Sequence, residues 1–128
     1  MKRQRIEYLW AWFDALRRND VEAMTAALAP TVVWQGIQAG FVCHGPDEVV
    51  EGFVSGYDAS QEIDSIELLG SDTHVVLGVR APDLGQVEGI DIGPELYNVF
   101  TIEDDKIVRI QDYLDREEAL AAASLTNS

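Results

Sequence analysis

The apolar residues of this chain change their spacing near residue 58, and that change limits the folds it can adopt. Before this point they recur every three or four positions, as in Ile6, Leu9 and Phe13, which is the spacing of one helix face. Beyond it they follow the alternating or β-branched pattern of strands, in runs at about 62–69, 73–80, 95–102 and 106–114. Helices that precede antiparallel strands predict an α+β fold.

The first half of the chain also contains signals for the ends of its helices. Residues 3–18 form an amphipathic helix, and a second, short helix continues to Pro30. The second helix is predicted to start at the capping pair Asn19 and Glu22. A third helix is predicted to start at the turn Gly45-Pro46, and a fourth at the capping pair Asp115 and Glu118. The β-branched and aromatic stretches 31–35 and 41–43 predict two short strands, and 81–94 predicts a long connection.

These elements together predict one architecture. We expect a cone-shaped, curved, mixed or antiparallel sheet, with helices packed on its concave face around an apolar pocket. A chain of 128 residues is long enough for one core but too short for two, so residues 1–128 are predicted to form a single domain.

Charge and composition exclude several classes of partner. The formal net charge is −14, and a surface this acidic repels phosphate backbones, so we expect no nucleic-acid partner. Charged residues interrupt every apolar stretch before it reaches the length of a membrane span, so no membrane association is expected.

The predicted location follows from the N-terminal segment and the cysteine content. The basic start at residues 2–5 is followed by Glu7 and Asp14 rather than by an apolar run, which argues against an export signal. Cys43 is the one cysteine and cannot form an internal disulfide, as is typical of a reducing compartment. We therefore predict a cytoplasmic protein.

Common catalytic motifs are absent from the sequence. It contains no P-loop, dinucleotide fingerprint or Gly-x-Ser-x-Gly elbow, so we expect no cofactor. His44 and His74 lack the spacing of metal ligands, so we expect no metal site.

Asp112 is the clearest anomaly in the sequence. Because side chains alternate along a strand, it shares a face with Val108, Ile110 and Leu114. A carboxylate among such residues must be paired, hydrogen-bonded or protonated, since burial of a bare anion is prohibitive. The pattern therefore predicts a polar group in an apolar pocket.

Arg80 is the predicted partner of Asp112, because no other basic residue lies between Arg18 and Lys106. Two interpretations stay open: a functional pair in the pocket, or a buried structural ion pair without chemistry. Both faces of the strand at 74–80 are apolar, so the second face also needs a cover, and a homodimer would provide it.

The order of the elements and three stretches, 97–102, 106–109 and 112–115, resemble the SnoaL-like branch of the nuclear transport factor two-like superfamily. The resemblance extends over nearly the whole chain. It implies a cone of helices and curved sheet around a hydrophobic cavity, usually in a dimer. Polyketide cyclases, limonene epoxide hydrolase and ketosteroid isomerase belong to this superfamily, so the fold transfers better than the activity.

The resemblance also implies roles for particular residues. Asp112 matches the acid/base aspartate of the cyclases and the epoxide hydrolase, Asn98 a pocket histidine of the cyclases, and Arg80 the arginine of the hydrolase. Phe13, Leu16 and Trp34 match residues that line the pocket. With the residues that the pattern places nearby, the predicted substrate-binding set is Trp12, Phe13, Leu16, Trp34, His44, Phe53, Tyr57, Ile110 and Leu114.

The chain departs from both well-known activities. Pro82 stands where the hydrolase has its second aspartate, Gly36 where the isomerase has its general base, and Trp12 where the isomerase has its oxyanion-hole tyrosine. Two hypotheses remain. One is an isomerase, cyclase or hydrolase in which Asp112 transfers a proton of a small apolar substrate, aided by Arg80 and Asn98. The other is a non-catalytic ligand-binding or dimerisation module.

Overall fold

Four helices and eight strands make up the described part of the chain. The computed structural model describes residues 2–37, 40–56, 65–71, 73–81, 86–87, 90–91 and 95–123. The helices are α1 (Lys2–Arg17), α2 (Val21–Ala26), α3 (Gly45–Gly56) and α4 (Arg116–Ala122). The strands are β1 (Leu28–Gln35), β2 (Val42–His44), β3 (Ser65–Gly70), β4 (His74–Arg80), β5 (Gln86–Val87), β6 (Ile90–Asp91), β7 (Glu95–Glu103) and β8 (Lys106–Tyr113).

Six of the strands form one curved, open sheet in the order β2-β1-β8-β7-β4-β3. All neighbours in it are antiparallel except β1 and β8, which run parallel. The predicted α+β fold with a mixed sheet is therefore confirmed. Within the long connection after β4, β5 and β6 pair as a separate two-stranded ladder.

The main core lies between the helices α1–α3 and one face of the sheet, which we call the inner face. Alternate strand residues point into it: Val75, Leu77, Phe100 and Ile110. The helices contribute Leu9, Trp12, Leu16, Met24, Val49 and Val50. Burial of an aliphatic side chain of this size contributes about 1.5–3 kcal/mol relative to exposure, so this layer supplies most of the hydrophobic stabilisation.

The other face of the sheet, which we call the outer face, has a smaller core of its own. Here α4 packs Ala119, Leu120 and Ala123 against the strand residues Val76, Tyr97 and Val99. The second apolar face of β4 is thus covered at Val76 by a helix of the same chain. A homodimer is not needed as its cover, so it stays a prediction on other grounds.

Two details of α2 differ from the sequence-based expectation. Asp20, not Asn19, caps the helix, since its carboxylate accepts from the backbone N–H of Ala23 at 3.2 Å. Asn19 has a φ of 57°, a left-handed conformation that asparagine tolerates and that suits the end of α1. The helix ends at Ala26 and Pro30 lies in β1, where the pairing with β8 is irregular and does not need its missing N–H.

The starts of α3 and α4 agree with the sequence-based expectation. Asp115 caps α4 by accepting from the backbone N–H of Glu117 at 3.3 Å, and α3 starts at Gly45. No helix in the described part of the chain has the length and apolar character to cross a membrane.

Candidate functional site

Asp112 lies near the end of β8 on the inner face, with only 6% of its surface exposed. Its carboxylate oxygen Oδ1 accepts two hydrogen bonds from side chains. The indole Nε1–H of Trp34 donates at 3.0 Å, and the amide Nδ2–H of Asn98 donates at 2.5 Å. Asn98 and Trp34 are themselves nearly buried, with 6% and 7% exposed.

The sheet topology brings these three side chains together. Asn98 in β7 is the direct cross-strand partner of Asp112, so the two side chains lie side by side on one face. Trp34 in β1 pairs with Ile110 in the parallel strand β8, two residues before Asp112 and on the same face. The long indole spans that offset and delivers its N–H to the carboxylate.

The two donors share one oxygen, and this limits what the carboxylate can do. A carboxylate oxygen has about two acceptor positions, and Oδ1 uses them for Trp34 and Asn98. Oδ1 therefore has no acceptor position left for a further donor. Both donors are neutral, so they orient the carboxylate without adding a positive charge beside it.

An aromatic cluster surrounds this group on the inner face. The ring of Trp34 stacks on Phe53 with centroids 4.2 Å apart, and Trp12 meets Phe53 edge-on at 5.1 Å. Trp12 also contacts Phe100 edge-on at 5.6 Å and donates its Nε1–H to the backbone oxygen of Met24 at 3.1 Å. The polar edge of Trp12 is thus bonded to the backbone, while its rings face the apolar interior.

The other predicted binding residues lie in different surroundings. Leu16 and Ile110 are buried in the inner core, and Phe13 packs at its edge, partly buried. His44 is exposed, and Leu114 follows the end of β8 with 37% of its surface exposed. Tyr57 lies outside the described residues. The binding role of each of these side chains stays a prediction.

The predicted ion pair between Arg80 and Asp112 was wrong. Arg80 lies on the outer face, 60% of its side chain is exposed, and its guanidinium donates to the carboxylate of Glu95 at 3.0 Å. Strand alternation gives the reason, because Arg80 shares the face of Val76 and Gly78 rather than that of Leu77. The register explains the actual partner, since Arg80 and Glu95 are opposite each other in β4 and β7.

A groove of about 540 Å³ lies on the outer face beside this pair, and charged side chains form part of its lining. Its lining includes Glu67, Arg80, Tyr97 and Arg116. The guanidinium of Arg116 donates two hydrogen bonds of 3.0 Å each to the carboxylate of Glu67. The hydrogen bonds from Arg116 hold the pKa of Glu67 below its usual value. Burial raises the pKa of Tyr97, whose hydroxyl donates to Glu95 at 2.9 Å. Sequence reasoning missed this cluster, because its members become neighbours only through the pairing of β3, β4 and β7.

Among the described residues, no three histidine, cysteine, aspartate or glutamate side chains come close enough to hold a metal ion. His74 contacts the hydroxyl of Thr73 through Nδ1 at 2.6 Å, and burial lowers its pKa.

Solved structures share this fold. A candidate polyketide cyclase from Sinorhizobium meliloti is 22% identical, with a TM-score of 0.62 over 84% of this chain and 94% of its own. A candidate ketosteroid isomerase from Kribbella flavida is 17% identical, with a TM-score of 0.65 over 87% of this chain and 77% of its own. TerC, co-crystallised with polyporic acid, is 19% identical, with a TM-score of 0.63 over 92% of this chain and 95% of its own.

Structural similarity at sequence identities of 17–22% shows the fold alone. No curated protein matches the chain. A family model provides the stronger evidence. The model of the SnoaL-like domain matches residues 10–110, which include Trp34, Arg80 and Asn98 and end two residues before Asp112. This match confirms the resemblance found from the sequence, and the chain belongs to the SnoaL-like domain family.

Proposed function

We propose that residues 1–128 form a single domain that binds a small, largely apolar molecule against the inner face and uses Asp112 as general acid or base, without a cofactor. The observation that carries this proposal is the double hydrogen bond to one oxygen of a buried carboxylate inside an aromatic cluster. A carboxylate fixed in this way is oriented in advance, as an acid or base must be to reach its proton.

The geometry favours one distribution of roles. As a base, the carboxylate of Asp112 would take a proton from a carbon beside a carbonyl and leave an enolate. As the acid it would return that proton to another carbon or to a ring-opening oxygen. The N–H of Asn98 is bonded to Asp112, so we assign Asn98 to positioning Asp112 rather than to the substrate. Arg80 has no part in this step, because it lies on the outer face.

The comparisons support a small cyclic substrate. The names of two solved neighbours refer to polyketides and ketosteroids, and a third neighbour was crystallised with polyporic acid. Ketosteroids and polyporic acid are ring compounds, and a polyketide cyclase closes a ring in its substrate. On this chain the same class would meet the flat faces of Trp12, Trp34 and Phe53, which suit ring stacking.

A second candidate function is a non-catalytic ligand-binding or dimerisation module. The observation that favours it is that Asp112 already satisfies two buried donors, Trp34 and Asn98, and so has a structural use. In either case we propose a cytoplasmic homodimer. The charged groups of the outer face, including the exposed Arg80 and the partly buried Glu95, would suit a polar rim at such an interface.

Ligand binding followed by product analysis distinguishes the two functions. A Δ5-3-ketosteroid and a monoterpene epoxide would be titrated while the fluorescence of Trp12 and Trp34 is followed. Trp10, which is 43% exposed, would first be replaced by Phe to remove its background signal. Polyporic acid would be titrated by calorimetry.

Each mixture would then be analysed for product by mass spectrometry. We expect micromolar binding of at least one compound and its conversion. Binding without conversion would favour the module, and no binding of any of the three compounds would contradict the proposed substrate class.

A further inference from the structure

The helix α3 contains a glycine at the place where the ring of Trp34 lies against it. A Cβ atom added to Gly52 would lie 2.6 Å from Cζ3 of Trp34 and 3.4 Å from Cε3. The first distance is far shorter than any contact between carbon atoms allows. Glycine is a poor residue for the middle of a helix, so its presence within Gly45–Gly56 is explained by the space that it leaves for the indole.

The indole of Trp34 is also confined by other rings. Phe53 stacks on it at 4.2 Å, and Phe41 meets it edge-on at 5.2 Å. The atoms nearest Gly52 belong to the six-membered ring, while the five-membered ring carries the Nε1–H that donates to Asp112. Because the indole is rigid, displacement of its six-membered ring also moves or tilts the five-membered ring and its N–H.

We infer that Gly52 is a positioning residue for Asp112 and acts through the indole of Trp34. The absence of a side chain at Gly52 lets Trp34 reach Oδ1, and Trp34 and Asn98 then both contribute to the orientation of the carboxylate. The consequence for a reaction rests on the proposed function, but the mechanical link between Gly52 and Asp112 does not.

The substitution Gly52→Ala tests the link by nuclear magnetic resonance of the 15N-labelled protein. Two signals report on the link between Gly52 and Asp112. One is the indole N–H of Trp34, which is assigned by its loss in Trp34→Phe, and the other is the side-chain amide of Asn98. We expect the indole proton to exchange with solvent roughly tenfold faster or more, because its hydrogen bond is weakened. We also expect the Asn98 amide to shift, because its acceptor has moved.

A matched control is available on the other face of the sheet. A Cβ at Gly78 would lie 2.7 Å from Cε1 of Tyr97, a clash of the same size on the outer face. Gly78→Ala should leave the indole signal of Trp34 unchanged, and this signal alone serves as the control because Tyr97 directly precedes Asn98 in β7. The inference is overturned if Gly52→Ala leaves both signals in place, or if Gly78→Ala moves the Trp34 signal equally.

A second variant covers the case in which Gly52→Ala does not fold. Trp34→Phe replaces the indole by a shorter ring that leaves room for the new Cβ, so Trp34→Phe/Gly52→Ala should fold and show the same Asn98 signal as Trp34→Phe alone. An additional shift of Asn98 in the double variant, or failure of the double variant to fold, would show that Gly52 acts by another route and overturn the inference.

Turnover separates this inference from the proposed function. With a substrate from the screen, Gly52→Ala should lower kcat by a larger factor than it raises KM, because the carboxylate is misdirected while Trp12 and Phe53 still provide binding surface. If Asp112→Asn retains full turnover, the proposed function fails, while the resonance shifts still decide on the link from Gly52 to Asp112.

Discussion

The two faces of the sheet hold their carboxylates in opposite ways. On the inner face Asp112 is 6% exposed and accepts from the neutral groups of Trp34 and Asn98. On the outer face the side chain of Glu67 is 41% exposed and bonds the guanidinium of Arg116, and Glu95 bonds Arg80. The directional bonds from neutral donors fix Oδ1 of Asp112, whereas the guanidinium partners place a positive charge beside the carboxylates of the outer face.

This difference explains why we place the reaction on the inner face. Water and salt weaken the field of an exposed ion pair, but a buried carboxylate interacts strongly with what comes near it. The apolar layers differ as well, since the inner core joins three helices to the sheet and the outer core involves only α4. The predictions below test these contrasts.

The largest change in stability is expected from a truncation in the inner core. Phe100→Ala removes a completely buried ring that contacts Trp12, and such truncations cost about 3–5 kcal/mol of the free energy of unfolding. Urea unfolding measures the loss. Leu120→Ala in α4 provides the comparison on the outer face, and an equal or larger cost there would contradict the dominance of the inner core.

A pair of tryptophan variants isolates the hydrogen bond to Asp112. Trp34→Phe and Trp12→Phe lose the same volume and one N–H donor each, but Trp34 donates to a carboxylate and Trp12 to the backbone oxygen of Met24. Bonds to charged groups contribute about 1.5–3 kcal/mol and neutral ones about 0.5–1.5 kcal/mol, so Trp34→Phe should be about 1 kcal/mol more destabilising at pH 8. Equal losses would contradict a stronger hydrogen bond from Trp34 to Asp112.

The smallest effect is expected for Glu67→Gln on the outer face, because exposed ion pairs contribute little and are screened by salt. The folded-state pKa of Glu67 is lowered chiefly by the hydrogen bonds from Arg116. The pair therefore stabilises the fold above the usual carboxyl pKa, and this contribution is lost as the pH falls through the lowered folded-state pKa.

Urea unfolding between pH 3 and pH 7 should show a shallower acid-side slope for Glu67→Gln than for the wild type. An unchanged slope would show that the pair makes no contribution to the pH dependence of folding.

The sequence predicts the elements of this fold well, because spacing in a helix and alternation in a strand are local properties. It also identifies Asp112, since a carboxylate on an apolar strand face is visible without a structure. The partners of Asp112 are a different matter. Trp34 reaches it through a parallel pairing of β1 with β8, and neither this pairing nor its register is contained in a local pattern.

The mistaken pairing of Arg80 has the same origin. The expected ion pair rests on the scarcity of basic residues and not on the face of the strand that each side chain occupies. The register that places Arg80 opposite Glu95 is a property of the folded sheet. The helix cap at Asp20 was missed by one residue, because Asn19 and Asp20 are both good caps and only the left-handed conformation of Asn19 decides between them.

The SnoaL-like match ends at Ile110, so membership of the family leaves the role of Asp112 to be tested by measurement. The decisive experiment compares the turnover of Asp112→Asn with that of Glu67→Gln, with folding of both verified by circular dichroism. An asparagine oxygen can still accept from Trp34 and Asn98, so the first variant keeps the hydrogen bonds and loses the acid. General acid–base catalysis accounts for about 10²–10⁴-fold in rate, so we expect a loss of that size for Asp112→Asn and none for Glu67→Gln. Full turnover by Asp112→Asn would contradict the assignment of Asp112 as the reacting group.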